Sequence, residues 1–215
     1  MGQATSKIID QLNKGCTTGL EFGRTKWRLL ERSGNRVLLL SEDIVDHAAF
    51  DRSPGQEFVS WESSHLRKHM SRDLPLILFT DAEYARVATT RTSTTENPFG
   101  RMRDYGALDK LFPLSVEEVD KYLCEGNTLR MLGTSDIVRD AYSRNRIARL
   151  PGTNVDWWWL RTPGKKIDTR GQLTWVAGML QYSQCYIGNA GSINMHGSNY
   201  DDGWGGIRPA MWLEL

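Results

Sequence analysis

Asp156-Trp157-Trp158-Trp159-Leu160-Arg161-Thr162-Pro163-Gly164 is the stretch on which the fold turns. Three consecutive indoles, each with about 150–250 Å² to bury, need cover on both faces. Strand alternation sets Trp157 and Trp159 on one face and Trp158 with Leu160 on the other. Thr162-Pro163-Gly164 then turns the chain. The C-terminal run from Gly205 to Leu215, with Ile207, Ala210, Met211, Trp212 and Leu213, reads as another strand, and Pro209 marks a bulge or an edge. Leu173–Ala177 and Ser192–Met195 are further short strands.

Working outward, the earlier part is richer in helix signals. Ile8, Ile9 and Leu12 share a face over 5–15, and Gly15 ends that helix. Residues 22–31 and 36–40 form a strand pair around the Ser33-Gly34-Asn35 turn. Ser63 or Ser64 caps a helix to about Arg72, with Leu66 and Met70 inward. Thr80 with Glu83 opens a short helix over 82–87. Ser115 with Glu118 makes a capping box for a helix over 116–123, stopped at Gly126. The Thr-, Arg- and Gly-rich segment 88–107 reads as a long loop. Residues 127–154 read as irregular, or as one short helix near 135–143. The fold class is therefore α+β: early short helices, then late short antiparallel strands.

The chain has 215 residues, 27 Lys+Arg against 26 Asp+Glu, and 3 Cys. That length suits one domain. A net charge of +1 argues against a broad nucleic-acid surface. Three cysteines do not make a disulfide scaffold and fit a reducing compartment. The apolar runs Leu38–Leu40 and Leu74–Phe79 fall far short of the roughly 18 residues of a membrane span. With no secretory core at the N-terminus, a cytoplasmic or phage-particle location is expected. Gly2 with Ser6 fits an acylation pattern, but the pattern is short and an ordinary start accounts for it.

Six landmarks, in order, resemble a bacterial and phage domain family of unknown function. They are Phe22-Gly23 with Trp27; Trp61-Glu62, Ser64 and Leu66-Arg67; and Leu78-Phe79-Thr80 with Glu83. The later three are Asp109–Ser115 with Glu117, Glu118 and Tyr122; Trp158–Gly164; and Gly206-Ile207-Arg208-Pro209-Ala210-Met211-Trp212-Leu213. The last is close to the family's G-V-R-P-A-L-W-L ending. That family looks related to the C-type-lectin-like fold of formylglycine-generating enzymes and of variable proteins of diversity-generating retroelements. The resemblance implies a lectin-like domain over 20–215, preceded by a helical segment over 1–19. Its core strands would be fixed and its binding surface carried by loops before the final strand. One departure is the Ile187-Gly188-Asn189-Ala190-Gly191 turn, where the family usually has an acidic V-D-x-D-G.

Residues 179–207 contain no Lys or Arg, and Asp201 and Asp202 are their only charges. Tyr, Ser, Asn, Gly, His and Trp crowd this stretch, as in a paratope: large amphipathic contacts beside adaptable hydrogen bonds. Adenine-directed codon randomisation gives the same composition, because AAY codons encode Asn and single changes reach Tyr, Ser, Asp, His and Gly. Glycine-rich surface turns without a binding role are the plain alternative. The expected binding residues are Tyr182, Ser183, Tyr186, Asn189, Ser192, Asn194, His196, Ser198, Asn199, Tyr200, Asp201, Asp202 and Trp204. Trp158, Trp159, Arg161, Arg208 and Trp212 are expected in the core, the two arginines tying loops to it through carboxylates or carbonyls.

No catalytic constellation stands out. His65 and His69 have zinc-compatible spacing, but residue 66 is Leu and no third ligand is evident, so an exposed basic face beside Arg67, Lys68 and Arg72 is expected. Cys16, Cys124 and Cys185 form no pair like that of the formylglycine-generating relatives. There is no nucleophile elbow, phosphate loop or dinucleotide fingerprint. Asp201 and Asp202 are a weak calcium candidate. The expectation is a non-enzymatic display protein, without metal or cofactor, that binds a protein or glycan through loops 182–204. An enzyme on a lectin-like scaffold and an assembly subunit are the alternatives.

Overall fold

The computed structural model describes residues 3–52, 59–94, 104–126, 137–164, 183–199 and 202–215, with backbone alone for 3–6, 94, 104–105, 183–185 and 196–199. Its first elements are α1 (Gln3–Asn13), β1 (Leu20–Phe22), β2 (Thr25–Ser33), β3 (Arg36–Ser41) and β4 (Asp46–His47). Next come α2 (His65–Arg72), α3 (Leu74–Leu78), α4 (Asp81–Tyr84), β5 (Val87–Ala88), β6 (Thr90–Thr94), β7 (Asp104–Asp109) and α5 (Val116–Leu123). The remainder is β8 (Ile137–Val138), α6 (Ser143–Arg146), β9 (Ala148–Arg149), β10 (Val155–Asp156) and β11 (Trp158–Pro163), then β12 (Ser183–Ile187), β13 (Ile193–Asn199), β14 (Gly206–Ile207) and β15 (Ala210–Glu214). This is a mixed α+β fold with largely antiparallel sheets.

The tryptophan-bearing strands β11 and β15 belong to different sheets. β11 sits inside a six-stranded sheet of order β4-β14-β11-β12-β13-β8, and β15 inside a five-stranded sheet of order β1-β2-β3-β15-β5. The predicted final strand is thus two strands. Gly206–Ile207 pairs with β4 and β11, and Ala210–Glu214 pairs with β3 and β5. Arg208-Pro209 is the joint between the sheets. Pro209 has no N–H to offer a ladder, which suits it to this break.

Local signals place the helices. Ser64 Oγ accepts from the Arg67 N–H at the start of α2. Thr80 with Glu83 and Ser115 with Glu118 form complete capping boxes. Ile8 and Leu12 of α1 are buried in the same apolar cluster as both sheets, so the N-terminal helix packs on the domain rather than standing apart from it.

Two expectations are corrected. The segment 88–107 is not a plain loop: Thr90–Thr94 and Asp104–Asp109 form a hairpin. Its threonines are β-branched and suit a pleated surface, and buried Thr92 donates to Asp109 at 2.8 Å. Of the short helix weighed near 135–143, the described residues 137–142 hold none: Ile137–Val138 is an edge strand on β13, and the helical turn starts at Ser143. The strand expected at 173–177, with Trp175, lies outside the described residues.

Candidate functional site

Two neighbouring rows of side chains cross four strands of the six-stranded sheet, one on each face. Trp158, Ile187, Ile193 and Val138 are paired in register and almost wholly buried. Trp159, Tyr186, Asn194 and Ile137 make the adjacent row on the opposite face. That second row opens outward: Trp159 is buried, Tyr186 half-buried, Asn194 buried, and Ile137 47% exposed. Alternation along each strand produces the contrast.

The Trp159 end of the outer row is covered. Trp159 packs edge-on against Phe50 at 5.9 Å and Trp157 at 4.7 Å between ring centroids, and its indole N–H donates to Ala48 O at 2.8 Å. Gly205 lies against that indole so closely that a Cβ there would overlap it. At Gly206 an added Cβ would stand 2.6 Å from Trp157 O and 2.7 Å from Ile44 Cδ1. Both glycines are therefore required by close approach.

Trp158 pairs with Ile187 on one side and Gly206 on the other. The turn that follows Ile187 and the turn that precedes Gly206 consequently emerge at the same end of the sheet. The first is anchored: Gly188 N–H donates to Ser192 O at 2.8 Å, and Arg146 Nε donates to Gly191 O at 2.6 Å. Arg146 is itself held by both carboxylate oxygens of Asp140, at 2.9 and 3.2 Å. The guanidinium thus serves the backbone of the turn. In the second turn Asp202 Oδ1 accepts from the Trp204 N–H at 3.1 Å, and Trp204 is 77% exposed.

These placements divide the expected binding residues. Asn189, Asp202 and Trp204, with Tyr186 and Trp157 nearby on the sheet, gather at the Trp158 end. The Tyr186 ring stands edge-on to Trp157 at 5.1 Å, and burial raises its phenol pKa above the ordinary 10.0. Ser192 and Asn194 differ from these in being buried. They are 5% and 6% exposed, and the Asn194 amide donates to Ser192 Oγ at 3.2 Å, which braces the turn. Ser183 pairs with Asn199 at the far end of the β12–β13 hairpin, with Ser198 beside them; for these and His196 the backbone alone is described. Tyr182, Tyr200 and Asp201 lie outside the described residues.

The core set differs in degree. Trp158, Trp159, Arg161 and Arg208 are 0–2% exposed, whereas Trp212 is half-buried against the cluster. Arg161 makes a fork with Glu118, at 2.6 and 2.8 Å, and also donates to Pro113 O and Ser93 O. Glu118 therefore both completes the α5 cap and neutralises a buried cation 43 residues away.

One feature of this sheet end escaped the sequence reading. His47 Nε2 is 3.0 Å from Asp156 Oδ2, joining β4 to β10 across 109 residues. No spacing signal links them. His65 contacts Asp51, and His69 stands between Asp46 at 2.9 Å and Asp73 at 3.2 Å, so these histidines face carboxylates instead of forming a free basic face. They do not converge. Among the described residues no group of three or more His, Cys, Asp or Glu side chains is placed to hold a metal ion, and no helix is long and apolar enough to cross a membrane.

The profile of a domain family of unknown function, DUF6273, matches residues 34–215. The chain belongs to this family. The DUF6273 match takes in five of the six landmarks quoted above and leaves out only Phe22-Gly23 with Trp27. No curated protein and no solved structure matches the chain.

Proposed function

We propose that this DUF6273 protein is a non-enzymatic binding protein of C-type-lectin-like fold, which recognises a protein or glycan through the turns at the Trp158 end of its six-stranded sheet. The observation that carries this reading is Trp204: a tryptophan 77% exposed on a turn whose next two residues are packed glycines. An indole left in water on a rigid support is an aromatic anchor without its partner. Asn189 at the neighbouring turn and half-buried Tyr186 and Trp157 extend the surface with hydrogen-bonding and flat aromatic groups.

The finer reading is that this surface is genetically varied, as in a retroelement variable protein of bacteria or phage. Support comes from the adenine-accessible composition of 179–207 and from the separation between anchoring and exposed positions in the two turns. A neighbouring reverse transcriptase, and a near-repeat of the coding segment differing at adenines, are the genomic test. The biochemical test screens a glycan array and a displayed peptide library with the wild-type protein, then repeats the positive ligands with Trp204→Ala. At least a tenfold loss of affinity is expected, with the melting temperature unchanged. Ligands that bind Trp204→Ala and Tyr186→Ala as well as wild type would rule this surface out.

A further inference from the structure

β4 is a two-residue strand at the edge of the six-stranded sheet, and it pairs with the equally short β14. Two backbone bonds hold it there: Val45 N–H donates to Ile207 O at 2.9 Å, and Ala48 N–H donates to Gly205 O at 3.0 Å. Gly205 directly follows Trp204, so the grip on β4 is also the grip on the base of the exposed turn. A strand held by so few backbone bonds opens locally at low free-energy cost.

Side chains add to that grip on both sides, because Asp46 and His47 alternate across the strand. Asp46 Oδ2 lies 2.9 Å from His69 Nε2 of α2, and its Oδ1 accepts from the His47 N–H at 2.8 Å. His47 Nε2 lies 3.0 Å from Asp156 Oδ2, whose other oxygen accepts from the Trp157 N–H at 2.8 Å. His69 Nδ1 meets a second carboxylate, Asp73 Oδ2, at 3.2 Å. A neutral imidazole carries one N–H and can donate to only one of the two carboxylates; the imidazolium donates to both. His47 faces a single carboxylate and can serve it in either state. The neighbouring charges leave this arrangement intact. Among the described residues Lys68 and Arg72, which flank His69 on α2, pair with neither Asp46 nor Asp73. His65, one turn earlier, is engaged by Asp51, and Arg149 stands opposite Val155, beside Asp156.

We infer that His69 is a proton-operated latch on β4. Uptake of a proton closes the Asp46–His69–Asp73 clasp, and loss of that proton releases one of its two contacts and loosens β4 with the base of the Trp204 turn. Histidine is the side chain whose charge ordinarily changes between about pH 5 and 8, whereas aspartates in general titrate near pH 4. The stabilisation is therefore present on the acid side of the histidine range and is lost as the pH rises through it. Asp46 and Asp73 are 38% and 65% exposed, so the effect is local and modest. The latch acts beneath the surface proposed above but needs no ligand, and it stands or falls separately from the binding reading.

The test is amide hydrogen exchange of the full chain without ligand, at about pH 5.5 and about pH 7.5, corrected for the intrinsic rates. The Val45 and Ala48 amides should be about two- to fivefold better protected at the lower pH, while the β3 and β15 amides keep the same protection. In His69→Gln, which keeps one amide donor but cannot titrate, the difference should vanish. Asp73→Asn changes an exposed side chain, leaves the backbone N–H of residue 73 to cap His69 O, and should reduce the difference. Equal protection of Val45 and Ala48 at both pH values in the wild type would overturn the proposal. So would an undiminished difference in His69→Gln or Asp73→Asn, or a change shared equally by the β3 and β15 amides.

Discussion

The two faces of the six-stranded sheet share strands β11, β12, β13 and β8 but obey different rules. On one face Trp158, Ile187, Ile193 and Val138 form a closed apolar row. On the other, Trp159 is sealed by Phe50 and Gly205, but the row then passes through Tyr186 to exposed Ile137. Adjacent residues of one strand therefore carry separate tasks. The inner row fixes the sheet in place, while the outer row is closed at Trp159 and Asn194 and reaches solvent at Tyr186 and Ile137. The turns repeat the pattern at smaller scale, with Ser192, Asn194 and Gly205 as fixed supports and Asn189 and Trp204 as exposed tips.

The largest effect should come from the closed face. Trp158→Ala removes a fully buried indole and its bond to Arg146 O, and should cost about 3–5 kcal/mol in denaturant unfolding. A cost under about 1 kcal/mol would break the distinction between the faces. Arg161→Met should come next, at about 2–3 kcal/mol, because it strands Glu118; that carboxylate is partly exposed, which keeps the loss below that of a fully buried pair. A variant of wild-type stability that had lost ligand binding would instead make Arg161 a binding residue.

Gly205→Ala tests the support beneath the exposed turn. Its methyl group must displace the Trp159 indole, and a loss of about 1–3 kcal/mol is expected. A smaller effect is set by Tyr186. Its raised phenol pKa means that the folded protein keeps this proton where the unfolded chain releases it. That contribution is fully present below about pH 10 and is lost as pH rises through the folded value. Tyr84 and Tyr122 are raised as well, so stability should fall on alkaline titration, and Tyr186→Phe should flatten part of that fall. An unchanged alkaline limb in Tyr186→Phe would show that this ring is not desolvated in solution.

Features that depend on near neighbours were legible in the sequence. Ser64, Thr80 and Ser115 cap helices with partners three residues away, and the β2–β3 pair is set by its Ser33-Gly34-Asn35 turn. Trp157 and Trp159 share a face as strand alternation requires. Features that depend on contacts across the chain were not legible. Glu118 looked like a capping residue, and only the folded chain brings Arg161 to it. Arg208-Pro209 read as an irregularity in one strand because the sequence holds no sign that two sheets meet there. The burial of Ser192 and Asn194 follows from a turn clamped by Arg146, 45 residues upstream of Gly191. Composition alone marks polar residues as exposed and cannot register such a clamp.

The most direct test of the division between frame and display surface is the melting temperature of the double variant Asn189→Ala, Trp204→Ala, measured beside its affinity for ligands found by the array and peptide screens. Surface changes away from special features stay within about 0.5 kcal/mol each. The account predicts a melting temperature within about 3 °C of wild type, together with at least a tenfold loss of affinity. A fall of roughly 10 °C or more would contradict it, because Asn189 and Trp204 would then belong to the frame. Full retention of affinity would contradict it equally, because the exposed turns would then not be where the protein binds.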